Sequence, residues 1–199
     1  ALSGGLDSSV LLAAAVRILG ADHCLALTAR TPYVMEEEVR DSTALCRRLG
    51  VRQEKLAFPI LPALANNPPL RCYLCKHELF EKIIALAKEN GVLYVAEGSN
   101  MDDNGDYRPG LQAVAELHVT SPLRHVGLTK QEIRNYSHQL GLPTWDKQSF
   151  ACLSSRFVYG ETISEKKLGM VDKAEQLLLD MGFHQVRVRR SEEHTSELQ

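Results

Sequence analysis

Short apolar runs of strand length alternate along this chain with longer amphipathic stretches of helix length, and most of the helical stretches stop at a glycine. A helical period over residues 7–19 ends at Gly20, and a strand-length apolar run follows at 24–29. Residues 36–49 are amphipathic, with acids in the first turn, Arg47 and Arg48 in the last, and Gly50 as the stop. Residues 51–57 alternate as a strand does. Four prolines and two asparagines make 58–70 a loop. A helix over 72–90 closes at Gly91, 92–96 is a buried-strand run, and 97–109 is a polar loop. Thr129 and Glu132 form a capping box for a helix running to Gly141. Residues 148–161 are loop-like, 164–181 form a long helix, and 185–189 alternate again. Strands separated by helices predict an α/β fold, a doubly wound parallel sheet with right-handed crossovers, followed by the start of a smaller α+β element.

The string Ser3-Gly4-Gly5-Leu6-Asp7-Ser8-Ser9 stands where a first strand would turn into the first helix. Adjacent glycines permit positive φ and bring backbone N–H groups close to an anion; the helix N-terminus adds partial positive charge, and Ser8 and Ser9 add hydroxyl donors. Asp7 would repel phosphate by itself, so it either organises the loop or holds a Mg²⁺ that bridges to phosphate. The lysine of G-x-x-x-x-G-K-[ST] is absent, which argues against γ-phosphoryl chemistry. The bland reading is a β-turn with an Asp/Ser helix cap. Gly-Gly alone would favour it; the whole string favours a nucleotide phosphate site.

Composition narrows the partners. Lys and Arg total 23 against 25 Asp and Glu, so no field is built to attract a polyanion such as nucleic acid. The longest purely apolar stretch, 10–16, is too short to cross a bilayer, and no signal peptide is visible. Five cysteines at uneven spacing do not read as a disulfide framework. The chain reads as soluble and cytoplasmic. Its start at Ala1-Leu2 leaves almost no room for a strand before the glycine turn, so the first strand is expected to be largely missing. Residues 190–199, RSEEHTSELQ, have no apolar period and match a translation of common sequencing-adapter DNA; they read as a non-native tail.

The string SGGLDSS resembles the signature of the PP-loop ATP pyrophosphatases, which cleave ATP between its α and β phosphates and adenylate a substrate. That resemblance implies the adenine nucleotide alpha hydrolase-like fold, with nucleotide at the strand C-termini. It places Ser3, Gly4, Gly5, Asp7, Ser8 and Ser9 around ATP and Mg²⁺. Ala29 and Arg30 at the end of the second strand approach adenine or the α-phosphate, and Gly98 and Asp102 come from the loop after a later strand. For Asp102 and Asp103 a solvated acidic loop is the alternative. The expected division is an ATP-binding domain over 1–147, a partial substrate and sulfur-transfer domain over 148–189, and the tail.

Longer strings narrow the family. GSNMDDNGDYRPG (98–110), ACLSSRFVYGETIS (151–164) and KAEQLLLDMGFHQVRVR (173–189) are together similar to LarE, the ATP-dependent sulfur transferase of nickel-pincer nucleotide biosynthesis. In that family a carboxylate of pyridinium-3,5-biscarboxylic acid mononucleotide is adenylated, and sulfur then displaces AMP to give a thiocarboxylate. The resemblance makes Cys152 the residue that supplies or anchors the sulfur, with Asp7 and Glu175 also catalytic. One branch sacrifices the cysteine side chain to dehydroalanine; another holds a 4Fe–4S cluster on three cysteines. Cys72 and Cys75, three apart at a helix start, complete a trio with Cys152 that matches the cluster branch. A zinc site with His77 as fourth ligand, a redox dithiol and plain thiols stay open. Cys24 and Cys46 read as small buried apolar residues.

The resemblance gathers Arg156, Arg187 and Arg189 around an anionic small-molecule nucleotide; without it, 187 and 189 are solvated residues on one strand face. Asp106, Tyr107 and Arg108 are further landmarks of the family, and a homo-oligomer is implied for the full-length protein. The rivals are a PP-loop tRNA thiolase, an amidating ligase of the NAD-synthetase type, and a non-catalytic nucleotide-binding or zinc-stabilised module. The thiolase needs a basic RNA surface, which the charge balance does not offer.

Overall fold

The computed structural model describes residues 1–105 and 109–189; Asp106, Tyr107, Arg108 and the tail 190–199 lie outside the described residues. Strands β1 (Leu25–Arg30) and β2 (Arg52–Ala57) pair in parallel, with Leu25 opposite Arg52 and Arg30 opposite Ala57. On the other side of β1 the sheet continues through short links. The Leu2 N–H donates to Leu27 O at 2.8 Å. The Ala1 amino group donates to Ala96 O at 2.5 Å, and Ala96 forms a parallel bridge with Thr120. The spatial order is therefore 52–57, 25–30, 1–2, 95–97, 119–120. From residues 1–2 the chain builds outward through β1 and β2, then crosses over to build on the opposite side. In such open α/β sheets, ligands bind outside the C-terminal ends of the strands where the order reverses. Here that place lies beside Leu2 and Ala96, from which the segments 3–9 and 97–103 emerge.

The helices are α1 (Leu6–Leu19), α2 (Glu36–Leu49), α3 (Arg71–Glu89), α4 (Pro109–Glu116), α5 (Pro122–His125), α6 (Lys130–Gln139) and α7 (Glu165–Asp180). Helix α2 begins with three glutamates, which complement the positive helix start, and ends with two arginines before Gly50 at φ 67°. Helix α6 starts with a reciprocal cap: Glu132 Oε2 accepts from the Thr129 N–H at 2.8 Å, and Thr129 Oγ1 accepts from the Glu132 N–H at 3.4 Å. Helix α4, not anticipated from periodicity, packs along α3, where Gly110 lets the two approach. Among the described residues, no helix is long and apolar enough to cross a membrane.

Three buried clusters hold these elements together. Leu2, Leu6, Val10, Ala26, Leu45, Leu123 and Ile133 join α1, β1, α2 and α6. Leu27, Phe80, Ile83 and Val114 join β1 to α3 and α4. The third brings Leu153, Phe157, Ile163, Leu168 and Val171 against Tyr33, Met35, Phe58 and Leu64, so the segment after residue 147 shares its core with the first part of the chain.

Two expected strands are not ladder strands. Of 92–96 only Ala96 is bridged, and Leu93 and Tyr94 are 86% and 85% exposed. A ladder needs a neighbour, and residues 1–2 and 119–120 reach only the end of this run. Residues 185–189 are extended but unpaired with any strand among the described residues. Side chains satisfy their backbone instead: the Gln185 N–H donates to Gln148 Oε1 at 2.6 Å and the Val188 N–H to Glu175 Oε1 at 2.9 Å.

Candidate active site

The turn from residue 3 into α1 is a tight fold of backbone against backbone. Gly4 has φ 92°, and a Cβ added there would lie 2.2 Å from Glu38 O, so only glycine fits between the loop and the start of α2. Gly5 is the N-cap of α1 and provides no side-chain cap, which leaves the helix entrance to the loop backbone. Ser9 is fully buried and its hydroxyl donates to Gly5 O at 2.7 Å. The Ser8 hydroxyl donates to the same carbonyl at 3.2 Å and lies 3.1 Å from Ser3 Oγ. These bonds fasten the loop to the first turn of α1.

The loop after residue 96 lies directly on this turn. A Cβ on Gly98 would sit 2.9 Å from Ser8 N, so again glycine permits the approach. Glu97 accepts from the Ser99 N–H at 3.0 Å, the Ser99 hydroxyl at 2.8 Å and the Ser121 hydroxyl at 2.5 Å. Burial pushes its carboxyl up, but Lys76, 3.6 Å away, and the Ser121 and Ser99 donors outweigh it and hold Glu97 below the usual carboxylate range. Asn100 Nδ2 donates to Asp7 Oδ1 at 3.3 Å, and the Asn100 N–H donates to Asp103 Oδ2 at 2.9 Å. Asp102 Oδ2 accepts from the Lys130 N–H at 2.9 Å, tying the same loop to the start of α6.

Asp7 is ion-paired with Lys130 Nζ. Lys130 also lines a cavity of about 230 Å³, together with Arg134, Gln148, Phe150, Arg156 and Arg187. Four cations and no carboxylate line that cavity, although Lys130 and Arg156 already pair with Asp7 and Glu175; it lies one side chain away from the glycine loop. Arg189 is exposed and is not among its lining residues.

Arg156 is 2% exposed and fully engaged. Its Nε and Nη2 donate to Glu175 Oε1 and Oε2 at 2.7 and 2.8 Å, and its Nη1 donates to Ala151 O at 3.0 Å and Ser155 Oγ at 2.7 Å. It therefore anchors the short turn that carries the exposed Cys152. Glu175, also completely buried, holds Arg156 and the Val188 N–H together and so fixes the segment bearing Arg187.

Cys72 and Cys75 lie in the first turns of α3 and Cys152 lies across from them; all three are free thiols. Burial pushes the Cys75 thiol up to about 12, and the neighbouring Cys152 and Cys72 raise it further against the pull of Lys76 and Arg71. Burial pushes the Tyr33 phenol up to about 12, with Cys75 and Cys152 adding to the rise and the Leu61 backbone opposing it. No group of three His, Cys, Asp or Glu among the described residues is pre-arranged around a metal. His77 points to Glu81, with Nδ1 3.5 Å from Oε2. Cys46 is buried and Cys24 packs against the same core.

A larger cavity, about 560 Å³, opens at the C-terminal ends of β1 and β2 between Arg30, Pro32, Phe58, Leu153 and Leu168. Arg30 and Glu36, 3.5 Å apart, both line it; Ala29 packs against the neighbouring core and is not among its lining residues. The sequence offers Glu97 as the first residue of the acidic loop after a strand, but gives no sign of Lys130, Arg134 or Lys147. The capping box located the start of α6 but carries no sign that its first residue reaches Asp7.

A family model described as NAD synthase matches residues 1–68. The chain is 42% identical over its whole length to the uncharacterized protein slr1717 of Synechocystis, covering 74% of it. It is 34% identical over 95% of its length to the pyridinium-3,5-bisthiocarboxylic acid mononucleotide synthase of Lactiplantibacillus plantarum, covering 69% of that protein. Among solved structures it is similar to the NMN synthetase of Francisella tularensis, with TM-score 0.60 and 16% identity over 96% of this chain and 77% of that one. That likeness establishes the α/β fold with its parallel sheet.

Proposed function

Because this chain belongs to the LarE family, that of the pyridinium-3,5-bisthiocarboxylic acid mononucleotide synthase, we propose that it transfers sulfur to a carboxylate of pyridinium-3,5-biscarboxylic acid mononucleotide. As a member it is an ATP-dependent enzyme of the PP-loop superfamily. The observation that carries the reading is the placement of the glycine loop, the cationic cavity and the Cys152 turn at one end of the sheet, linked by Lys130 and Arg156.

ATP lies with its phosphates on Ser3, Gly4, Gly5 and Ser8 at the entrance of α1, where backbone N–H groups and the helix dipole favour anions. Asp7 would hold the Mg²⁺, which would offset the phosphate charge, with Lys130 beside it and Gly98 and Asp102 in the adjoining loop. Ala29 and Arg30 bound the adenine side. The substrate carboxylate attacks the α-phosphorus; the acyl-adenylate forms and pyrophosphate leaves. Adenylation is needed because carboxylate oxygen is a poor leaving group and AMP a good one. Arg187 and Arg189 bind the anionic groups of the mononucleotide, while Arg156 and Glu175 hold the Cys152 turn against it.

Sulfur enters at Cys152. Cys75 lies close enough to Cys72 and Cys152 to feel both, but the three thiols are not pre-arranged around a metal among the described residues, so a cluster would have to draw them together. Cys72, Cys75 and Cys152 would hold a 4Fe–4S cluster, which when bound supplies sulfide as the nucleophile.

The test is release of AMP and pyrophosphate by the full chain with ATP, Mg²⁺ and the dicarboxylate mononucleotide. Release that depends on that nucleotide, and that persists in Cys152→Ala while thiocarboxylate formation is lost, is the expected result. Release stimulated by tRNA and not by the nucleotide overturns the reading in favour of a thiolase.

A further inference from the structure

We infer that Lys147 is a positioning residue of the ATP loop: through the Gly4 carbonyl it sets the direction of the Gly5 N–H that faces the phosphates. The inference rests on the glycine loop being the ATP site. Lys147 Nζ donates to Gly4 O at 3.1 Å and to Asp41 Oδ2 at 2.5 Å, and its side chain is only 12% exposed. The bond reaches across 143 positions of sequence, so it belongs to the tertiary fold and not to the turn itself.

A trans peptide places its C=O and N–H on opposite sides of one rigid plane. Pinning the Gly4 carbonyl toward Lys147 therefore aims the Gly5 N–H the other way, toward Ser3 Oγ. There it now donates to Ser3 Oγ at 3.3 Å, a long bond that an anion can replace. Glycine at both positions 4 and 5 would otherwise let this peptide flip, since neither residue has a Cβ to hinder rotation. The Glu38 carbonyl blocks one side of Gly4, and the lysine holds the other.

Lys147 is itself held at both ends. Asp41 of α2 fixes its ammonium. Arg134 of α6 fixes its backbone, donating to Trp145 O at 2.5 Å and to Lys147 O at 3.2 Å. The loop peptide is thereby referenced to two helices, and the lysine's charge is shared between Asp41 and the half-buried Glu38 carboxyl of α2. Its role is orientation more than attraction of phosphate.

The test is equilibrium binding of ATP with Mg²⁺, without the second substrate, to the full chain and its Lys147→Met and Lys147→Arg variants, together with steady-state kinetics. Loss of one charge-assisted bond to a loop carbonyl predicts ATP binding weakened about tenfold in Lys147→Met, with a matching rise in the KM for ATP and little change in kcat. Lys147→Arg, which keeps the charge and can still reach Gly4 O and Asp41, restores most of it. A second variant, Asp41→Asn, shows a smaller loss in the same direction. Unchanged ATP affinity in Lys147→Met, or a lowered melting temperature with no KM shift, overturns the inference and leaves Lys147 a packing residue. Wild-type protein that binds no ATP overturns the functional reading, and this inference with it.

Discussion

Gly4→Ala abolishes ATP binding and lowers stability by about 3 kcal/mol or more, the sum of a left-handed backbone and a clash that cannot relax. The first term comes from φ 92°, a region that costs an alanine one to two kcal/mol, as an order of magnitude. The second comes from Glu38, whose carbonyl oxygen, carbonyl carbon and Cα lie 2.2, 3.0 and 3.3 Å from the added Cβ. These are backbone atoms at the start of α2, pinned by the helix and by the packing of Val39 and Leu45 in the core, so no rotamer change relieves the overlap. The loop has to lift off α2, and with it goes the arrangement of N–H groups at the entrance of α1. Gly5→Ala is the control. Gly5 has φ −80°, and its Cβ would meet Ser3 Oγ at 3.4 Å, an ordinary contact. Its melting temperature stays near wild type. A Gly4→Ala protein that melts and binds ATP like wild type contradicts this account of the loop.

The second large effect is at Arg156 and Glu175. Their side chains are 1% and 0% exposed and share two charge-assisted bonds. Removing one partner leaves the other charged and dry, which costs about 3–5 kcal/mol in comparable buried pairs. Arg156→Met strands the Glu175 carboxylate with the Val188 N–H as its remaining donor, and Glu175→Gln leaves the guanidinium short of its counter-charge. The double variant Arg156→Met/Glu175→Met recovers a good part of the stability, because replacing both charges by apolar groups removes the uncompensated burial. It does not recover sulfur transfer: the Ala151 carbonyl loses the Nη1 donor, and the Cys152 turn is released. Denaturant melts of the two single variants and the double, set beside product formation, check this. Singles within 1 kcal/mol of wild type, an order-of-magnitude threshold, contradict the assignment.

The parts of this molecule that could be read in advance are those whose signal is contiguous. Helix α2 shows its acids and its arginines within its 14 residues and its glycine directly after them, and its bounds follow directly. The glycine loop is seven consecutive residues, and Cys72 and Cys75 announce themselves by spacing. Pairings across the fold leave no such trace. Lys130 meets Asp7 over 123 positions, and Lys147 meets Gly4 over 143. Each looks like an ordinary surface lysine in a polar stretch. The family resemblance singles out Arg156 as a substrate-binding residue, but its local sequence holds no sign that Glu175, 19 positions on, absorbs its fork. The two misjudged strands have a common cause. Alternating apolar character reports a half-buried extended segment, and says nothing of whether a neighbouring strand lies within hydrogen-bonding reach. At 185–189 the neighbours are Gln148 and Glu175 side chains.

In the proposed function, ATP cleavage at the glycine loop and sulfur delivery at Cys152 act on the same substrate carboxylate. The most direct measurement is mass spectrometry of the dicarboxylate mononucleotide after anaerobic incubation with the full chain, ATP, Mg²⁺, iron and sulfide. The account predicts a product in which one carboxylate oxygen is exchanged for sulfur, formed with stoichiometric AMP and absent with Cys152→Ala. AMP formation that accompanies an amide, or any product without sulfur, would contradict it.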